Sequence, residues 1–285
     1  GFAGLGRMGA HMAARLARAD LPLTVWTRDT DKARRVADQL GCAAADTPRA
    51  LSDASDVVVT MLADDAASMA VHDGPEGLFA GSARSFVEMG TLSPAHLRDL
   101  ADRVPTGAQV IDAPVSGATQ AAEAGTLAIM AGCTEESALP LRPLFQAMGR
   151  RTQCLGQPGA GAVMKLAVNS LIHGLNQTLA EAMALAEAAG IAPARAFDVI
   201  EASAACAPML TYRRPLYLDE TAHEVTFTVS LARKDMEVTA ALARDLGTAM
   251  PQGAVTLGAL REAETAGFGA RDMAAMLAYM RGRPS

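Results

Sequence analysis

Near its start the chain reads Gly4-Leu5-Gly6-Arg7-Met8-Gly9, between the apolar strand end Phe2-Ala3 and a helical run to about residue 19. This stretch restricts the fold more than any other, because each glycine answers a separate demand. Gly4 allows a tight turn, Gly6 lets backbone N–H groups approach a pyrophosphate, and Gly9 permits close packing of helix on strand. An anion then sits at the helix N-terminus, where unpaired N–H groups and the dipole favour it. Alone, the triplet reads equally as a structural glycine turn, and its context raises it. A second strand, 21–26, follows at the usual spacing and ends at Thr27-Arg28 rather than at an acidic residue. A carboxylate there would bind the ribose diol of NAD, whereas an arginine pairs with a 2′-phosphate. The expected cofactor is NADP(H) rather than NAD(H); the alternative is an exposed loop charge at Arg28 with Asp29 beside it.

From 31 to 132 short apolar runs alternate with amphipathic segments: helices at 31–40, 48–52, 66–72 and 94–103, strands at 43–45, 57–61, 85–88, 109–112 and 127–131. That alternation describes an α/β, doubly wound, mainly parallel Rossmann-type sheet. Such sheets bind ligands outside the carboxyl ends of their strands. Two ends look equipped, Met61-Leu62-Ala63 and Gly90-Thr91-Leu92-Ser93-Pro94. Leu62 can pack on a cofactor, and Thr91 can offer it a hydroxyl or cap the helix starting near Pro94. Next, Asp112-Ala113-Pro114-Val115-Ser116-Gly117-Ala118 puts a hydroxyl and N–H groups after a strand, as an anion-binding concavity or simply a turn. A carboxylate-bearing substrate suits the first. A helix at 135–148 and a strand at 152–154 close a first domain, 1–157.

The second domain, 158–285, reads helical throughout, with segments at 193–203, 208–217, 230–246, 251–266 and 273–280. It is led by one long helix from the glycine-rich 156–161 stretch to about 189. On it Lys165 and Asn169 stand four residues apart, on one face a turn from each other, where they can grip one small polar molecule. The plainer alternative is a snorkelling lysine and a satisfied surface amide. Roughly thirty residues span on the order of 45 Å, and the apolar positions fall on more than one face. A homodimer or higher oligomer is expected to cover part of them. Methionines at helical spacing read as core, and Lys234-Asp235 as a structural ion pair. Gly1-Phe2-Ala3 is short for a central strand, so the native chain is expected to begin earlier.

A net charge of -6 with no Lys/Arg run argues against nucleic acid. No stretch reads as a transmembrane span or a secretory signal. Cys42, Cys133, Cys154 and Cys206 are far apart, without metal-ligand or disulfide spacing, which suits a reducing cytoplasm and no metal. Small soluble partners remain.

Four stretches in one order make the chain resemble the β-hydroxyacid dehydrogenase family from end to end: Gly4 to Gly9; Asp112 to Gly117 with Gly125-Thr126-Leu127; Gly161 to Lys165 and Asn169; and Lys234-Asp235. The resemblance implies cofactor contacts from Gly4, Leu5, Gly6, Arg7, Met8 and Gly9, to which the strand ends add Thr27, Arg28, Met61, Leu62 and Thr91. It implies that Ser116, Gly117 and Asn169 hold the substrate, that Lys165 gives and takes the proton, and that Lys234 reaches cofactor or substrate. The chain departs from the family pattern at Ala118 and Ala121-Ala122, while Ala122-Glu123 ahead of Gly125 and Met164-Lys165-Leu166 leading to Val168-Asn169 look most like the glyoxylate/succinic semialdehyde reductases, a branch that favours NADPH, in agreement with Arg28. A lysine with its usual pKa of about 10.4 donates readily but accepts poorly; desolvation and the like charge of Lys234, if near, would lower it. Two other functions stay open, a non-catalytic dinucleotide-binding interaction module and an imine reductase; the presence of Lys165 disfavours both.

Overall fold

The computed structural model of the chain describes residues 1–282. It divides into two compact units, Gly1–Lys165 and Leu166–Ser285.

In the first unit β1 (Phe2–Ala3), β2 (Thr24–Trp26), β3 (Ala43–Ala44), β4 (Val57–Thr60), β5 (Ser85–Glu88) and β6 (Gln109–Asp112) form one parallel sheet, ordered β3-β2-β1-β4-β5-β6. Parallel neighbours need crossovers, supplied by α1 (Arg7–Arg18), α2 (Thr30–Leu40), α3 (Pro48–Asp53), α4 (Asp65–His72) and α5 (Pro94–Arg103). Successive strand residues face opposite sides, and both sides are covered, which is why the strands read as unbroken apolar runs. Phe2, Val25, Val59, Val87 and Ile111 join Met12 and Leu16 in one core. Their neighbours Ala3, Trp26, Val58, Phe86 and Val110 join Leu51 and Leu100 in the other. Strand order reverses between β1 and β4, so the crevice for a ligand opens at the ends of those two strands.

Beyond Asp112 the structure departs from a single sheet. β7 (Val115–Ser116), β8 (Leu127–Ala131) and β9 (Gly149–Cys154) form a separate three-stranded sheet, antiparallel between β7 and β8 and parallel between β8 and β9. Between β7 and β8 lies α6 (Thr119–Ala124), closed by Gly125 in the left-handed conformation. The helix expected at 135–148 is interrupted. Pro140 and Pro143 remove amide donors, leaving α7 (Glu135–Ala138), a 3₁₀ turn at Leu139–Leu141 and α8 (Arg142–Met148).

The second unit is helical, with α9 (Ala160–Ala188), α10 (Pro193–Ala202), α11 (Pro208–Leu218), α12 (Val229–Asp245), α13 (Pro251–Ala263) and α14 (Met276–Gly282). The break between the units falls inside α9, whose first turn packs Ala162 with Leu92 and Leu97 of the first unit. α13 stops short of 266, running into a π turn, Glu264–Phe268, where Gly267 lies at φ +90. Met183, Met209, Met236 and Met276 are core residues here, together with Phe197, Tyr217 and Leu260. On α9, Leu171 and Leu185 remain 72% and 74% exposed. No helix among the described residues is long and apolar enough to cross a membrane.

Candidate active site

The first unit assembles its nucleotide loop from close approaches. Gly4, at φ +100, ends β1, and a Cβ there would run into the carbonyl oxygen of Met61 after β4. A Cβ on Gly9 would overlap the carbonyl oxygen of Gly4, so α1 lies directly against the turn. Around Gly6 the space is open, and as N-cap of α1 it offers no side chain to the first amides. Those amides suit the diphosphate of a dinucleotide. Leu5 is buried, Met8 half-buried and Arg7 exposed.

Thr27 is half-buried at the end of β2 and Arg28 exposed. Asp29, the acid beside them, accepts a hydrogen bond from the Lys32 amide at 2.9 Å and caps α2. Its Oδ1 is thereby taken up by the helix.

The loops after β4 and β5 are tied to one another. A Cβ on Gly90 would strike the carbonyl oxygen of Leu62, and Ser93 donates from its amide (2.8 Å) and hydroxyl (2.6 Å) to Asp65. Ser93, not Thr91, caps α5. Met61, Leu62 and Thr91 are all half-buried. Behind them Glu88 Oε1 stands 3.0 Å from His72 Nε2, while Oε2 accepts from Thr60 Oγ1 at 2.7 Å. Burial alone would push the His72 ring down, but the charge and hydrogen bond of Glu88 raise it. Glu88 is driven up by burial and held below its usual range by His72 and Thr60.

Asp112 ends β6 and accepts from the amides of Gly159 (2.7 Å) and Ala162 (2.9 Å) at the head of α9. Burial pushes its carboxyl above the usual range despite those amides. Gly161 must be glycine, since a Cβ would meet both this carboxylate and the Met130 carbonyl. Ser116 is half-buried at the end of β7, and Gly117 is exposed at φ +138. Lys165 is half-buried on α9.

In the second unit Asn169 is 4% exposed, so it is no surface amide. Its Nδ2 donates to Asp235 Oδ2 at 2.6 Å, and Lys234 Nζ forms an ion pair with Oδ1 of the same carboxylate at 2.8 Å. The charge of Lys234 is therefore balanced where it stands. Burial raises the Asp235 carboxyl, yet His173 and Lys234 outweigh it and hold the group at about 2. His173 Nε2 lies 4.0 Å from Oδ2, at the limit of an ion-pair contact.

Three of these residues escaped the sequence: Asp112 as an anchor, His173, and Asp235 as more than a partner for Lys234. For Asp235 a signal existed. Ala232, Asp235, Met236, Thr239 and Ala243 form the buried stripe of α12, and a carboxylate on such a stripe needs a partner.

Residues 1–156 match the family model described as the NAD binding domain of 6-phosphogluconate dehydrogenase. Residues 159–280 match the one described as NAD-binding of NADP-dependent 3-hydroxyisobutyrate dehydrogenase. The chain is 31% identical to 3-sulfolactaldehyde reductase of Escherichia coli (strain K12), over 98% of its own length and 95% of the relative's. It is 28% identical to glyoxylate/succinic semialdehyde reductase 2 of Arabidopsis thaliana, over 100% of this chain and 80% of the relative. Among solved structures, 3-hydroxyisobutyrate dehydrogenase from Salmonella typhimurium aligns with a TM-score of 0.86 at 26% identity over 98% of each chain. The chain belongs to the β-hydroxyacid dehydrogenase family and is an NAD(P)-dependent hydroxyacid dehydrogenase or reductase.

Proposed function

We propose that the chain interconverts a short aldehyde or keto acid and its hydroxy acid with NADP(H), Lys165 serving as general acid and base. When bound, the nicotinamide gives or takes the hydride. The observation that carries the reading is the α9 pair, with Asn169 one turn beyond Lys165 and its amide held by a buried carboxylate. Lys165 protonates the carbonyl oxygen in reduction and takes the proton back from the alcohol in oxidation. Asn169, neutral, holds the same oxygen. Ser116 and Gly117 hold the substrate carboxylate with a hydroxyl and backbone N–H groups, fixing the reacting carbon. Lys234 reaches substrate or cofactor with N–H donors beyond the one that Asp235 takes. Arg28 pairs with the 2′-phosphate, a role that Asp29, engaged in capping, leaves to it.

The substrate class we favour is the short acid bearing an aldehyde, of the glyoxylate or succinic semialdehyde kind, in keeping with the names of the relatives. NADPH oxidation across glyoxylate, succinic semialdehyde, tartronate semialdehyde, methylmalonate semialdehyde and 3-sulfolactaldehyde tests this. Turnover confined to aldehydes without an acidic group would overturn it. For the assembly we propose a homodimer or higher oligomer that covers Leu171 and Leu185 of α9.

A further inference from the structure

Among the described residues the second unit buries two carboxylates, Asp235 and Asp272, and uses them differently. Asp272 serves the backbone: it accepts from the amides of Thr226 (2.9 Å), Phe227 (3.2 Å) and Ala274 (2.9 Å), besides the Thr226 hydroxyl and the Arg213 guanidinium. Those bonds fix the segment entering α12. The Phe227 ring lies stacked on His173, centroids 5.6 Å apart, and His173 in turn flanks Asp235. The carboxylate of Asp235 itself faces side chains, and two of them, Asn169 and Lys234, are candidate site residues.

An ionised carboxylate can only accept hydrogen bonds, and with its carboxyl held at about 2 this one stays ionised at any working pH. The atom of Asn169 facing it must be the amide nitrogen, which turns the amide oxygen away from Asp235. We infer that Asp235 is a positioning residue: by taking one hydrogen of the Asn169 Nδ2 it fixes the rotation of that amide, so that Asn169 meets the substrate oxygen in one orientation while the hydroxyl proton stays with Lys165. The inference rests on Asn169 being a substrate residue, as proposed above. Asp235 therefore acts on the reaction through the Asn169 amide.

Asp235→Asn, whose amide can face Asn169 with either atom, should lower kcat/KM about tenfold or more in both directions. The equilibrium constant requires the two losses to match. The decisive measurement is a double-mutant cycle with Asn169→Ala. In the Asn169→Ala background Asp235→Asn should change kcat/KM less than about twofold; losses that multiply would overturn the inference. Asp235→Glu keeps the charge and displaces its oxygens, so it should fail like Asp235→Asn. Wild-type kcat/KM in Asp235→Glu would also overturn the inference, even if Asp235→Asn did not fold. If Asn169→Ala alone kept wild-type parameters on every substrate, Asn169 would not be a substrate residue, and this inference would fall with that assignment.

Discussion

Asp112 Oδ2 accepts a hydrogen bond from the Ala162 amide at 2.9 Å, so the residue that ends β6 holds the first turn of the helix that carries Lys165. Asp112→Asn can accept with one atom but turns an N–H donor toward the other amide. A buried amide left unpaired costs about 1–3 kcal/mol. We expect a destabilisation of that size in denaturant unfolding, with turnover falling as the head of α9 loosens. A variant with wild-type unfolding would mean that water or a shifted turn satisfies those amides equally well.

Lys165→Ala should leave NADPH binding nearly intact and lower turnover by roughly a hundredfold or more, as loss of a general acid and base does. Lys165→Arg should fail almost as badly, since guanidinium keeps its proton. Alcohol oxidation should rise with pH as free amine forms, and carbonyl reduction should weaken at high pH. Half or more of wild-type turnover in Lys165→Ala, with the chemical step rate-limiting, would reduce Lys165 to a positioning role.

Replacing Arg28 by Asp should move cofactor preference from NADPH toward NADH, by roughly tenfold or more in affinity for a charge-assisted contact. Fluorescence titration with both cofactors measures this. A wild-type protein that already prefers NADH would contradict the assignment of Arg28.

The His72–Glu88 pair, fully buried on both sides, should govern the pH dependence of the first unit's stability. Glu88 is shifted down, so its contribution is present above its unfolded value of about 4.3 and is lost as pH falls through the folded pKa. His72 is shifted up, so its contribution is complete below about 6.5 and is lost as pH rises through the folded value. Stability should thus be broadest between those limits. Glu88→Gln, which leaves a buried charge uncompensated, should cost about 3–5 kcal/mol in urea unfolding. An unchanged midpoint would show that the pair contributes nothing net.

Small-angle scattering at micromolar concentration should return at least twice the monomer mass, because Leu171 and Leu185 expose apolar surface that a lone chain would leave in water. Leu171→Glu with Leu185→Glu should shift the mass toward one chain. A monodisperse wild-type monomer would exclude this interface.

Much of the fold was legible because its signals are local. Gly4 to Gly9, the strands buried on both faces and Pro at the heads of α5, α10, α11 and α13 each act within a few residues. The separate small sheet was not legible, since pairing Val115 with Ile129 is a choice among distant partners that residue pattern does not encode. The candidate site divides along the same line. Lys165 and Asn169 announce themselves by helical spacing, whereas Asp235 meets Asn169 across 66 residues and Asp112 meets Ala162 across 50. Arg28 lay between these cases: its position was readable, but the capping bond that occupies Asp29 needed the loop's actual geometry.

The grip of Asp272 on Phe227 has a consequence in time. Asp272 follows Phe227 by 45 residues, and at a synthesis rate of about 5–20 residues per second that interval is roughly 2–9 s. Until it has passed, the nascent chain has no carboxylate with which to set the segment entering α12, although every strand of the first unit has long been made. A ribosome that stops early in α13 would release a finished sheet and a helical half whose entry to α12 cannot close.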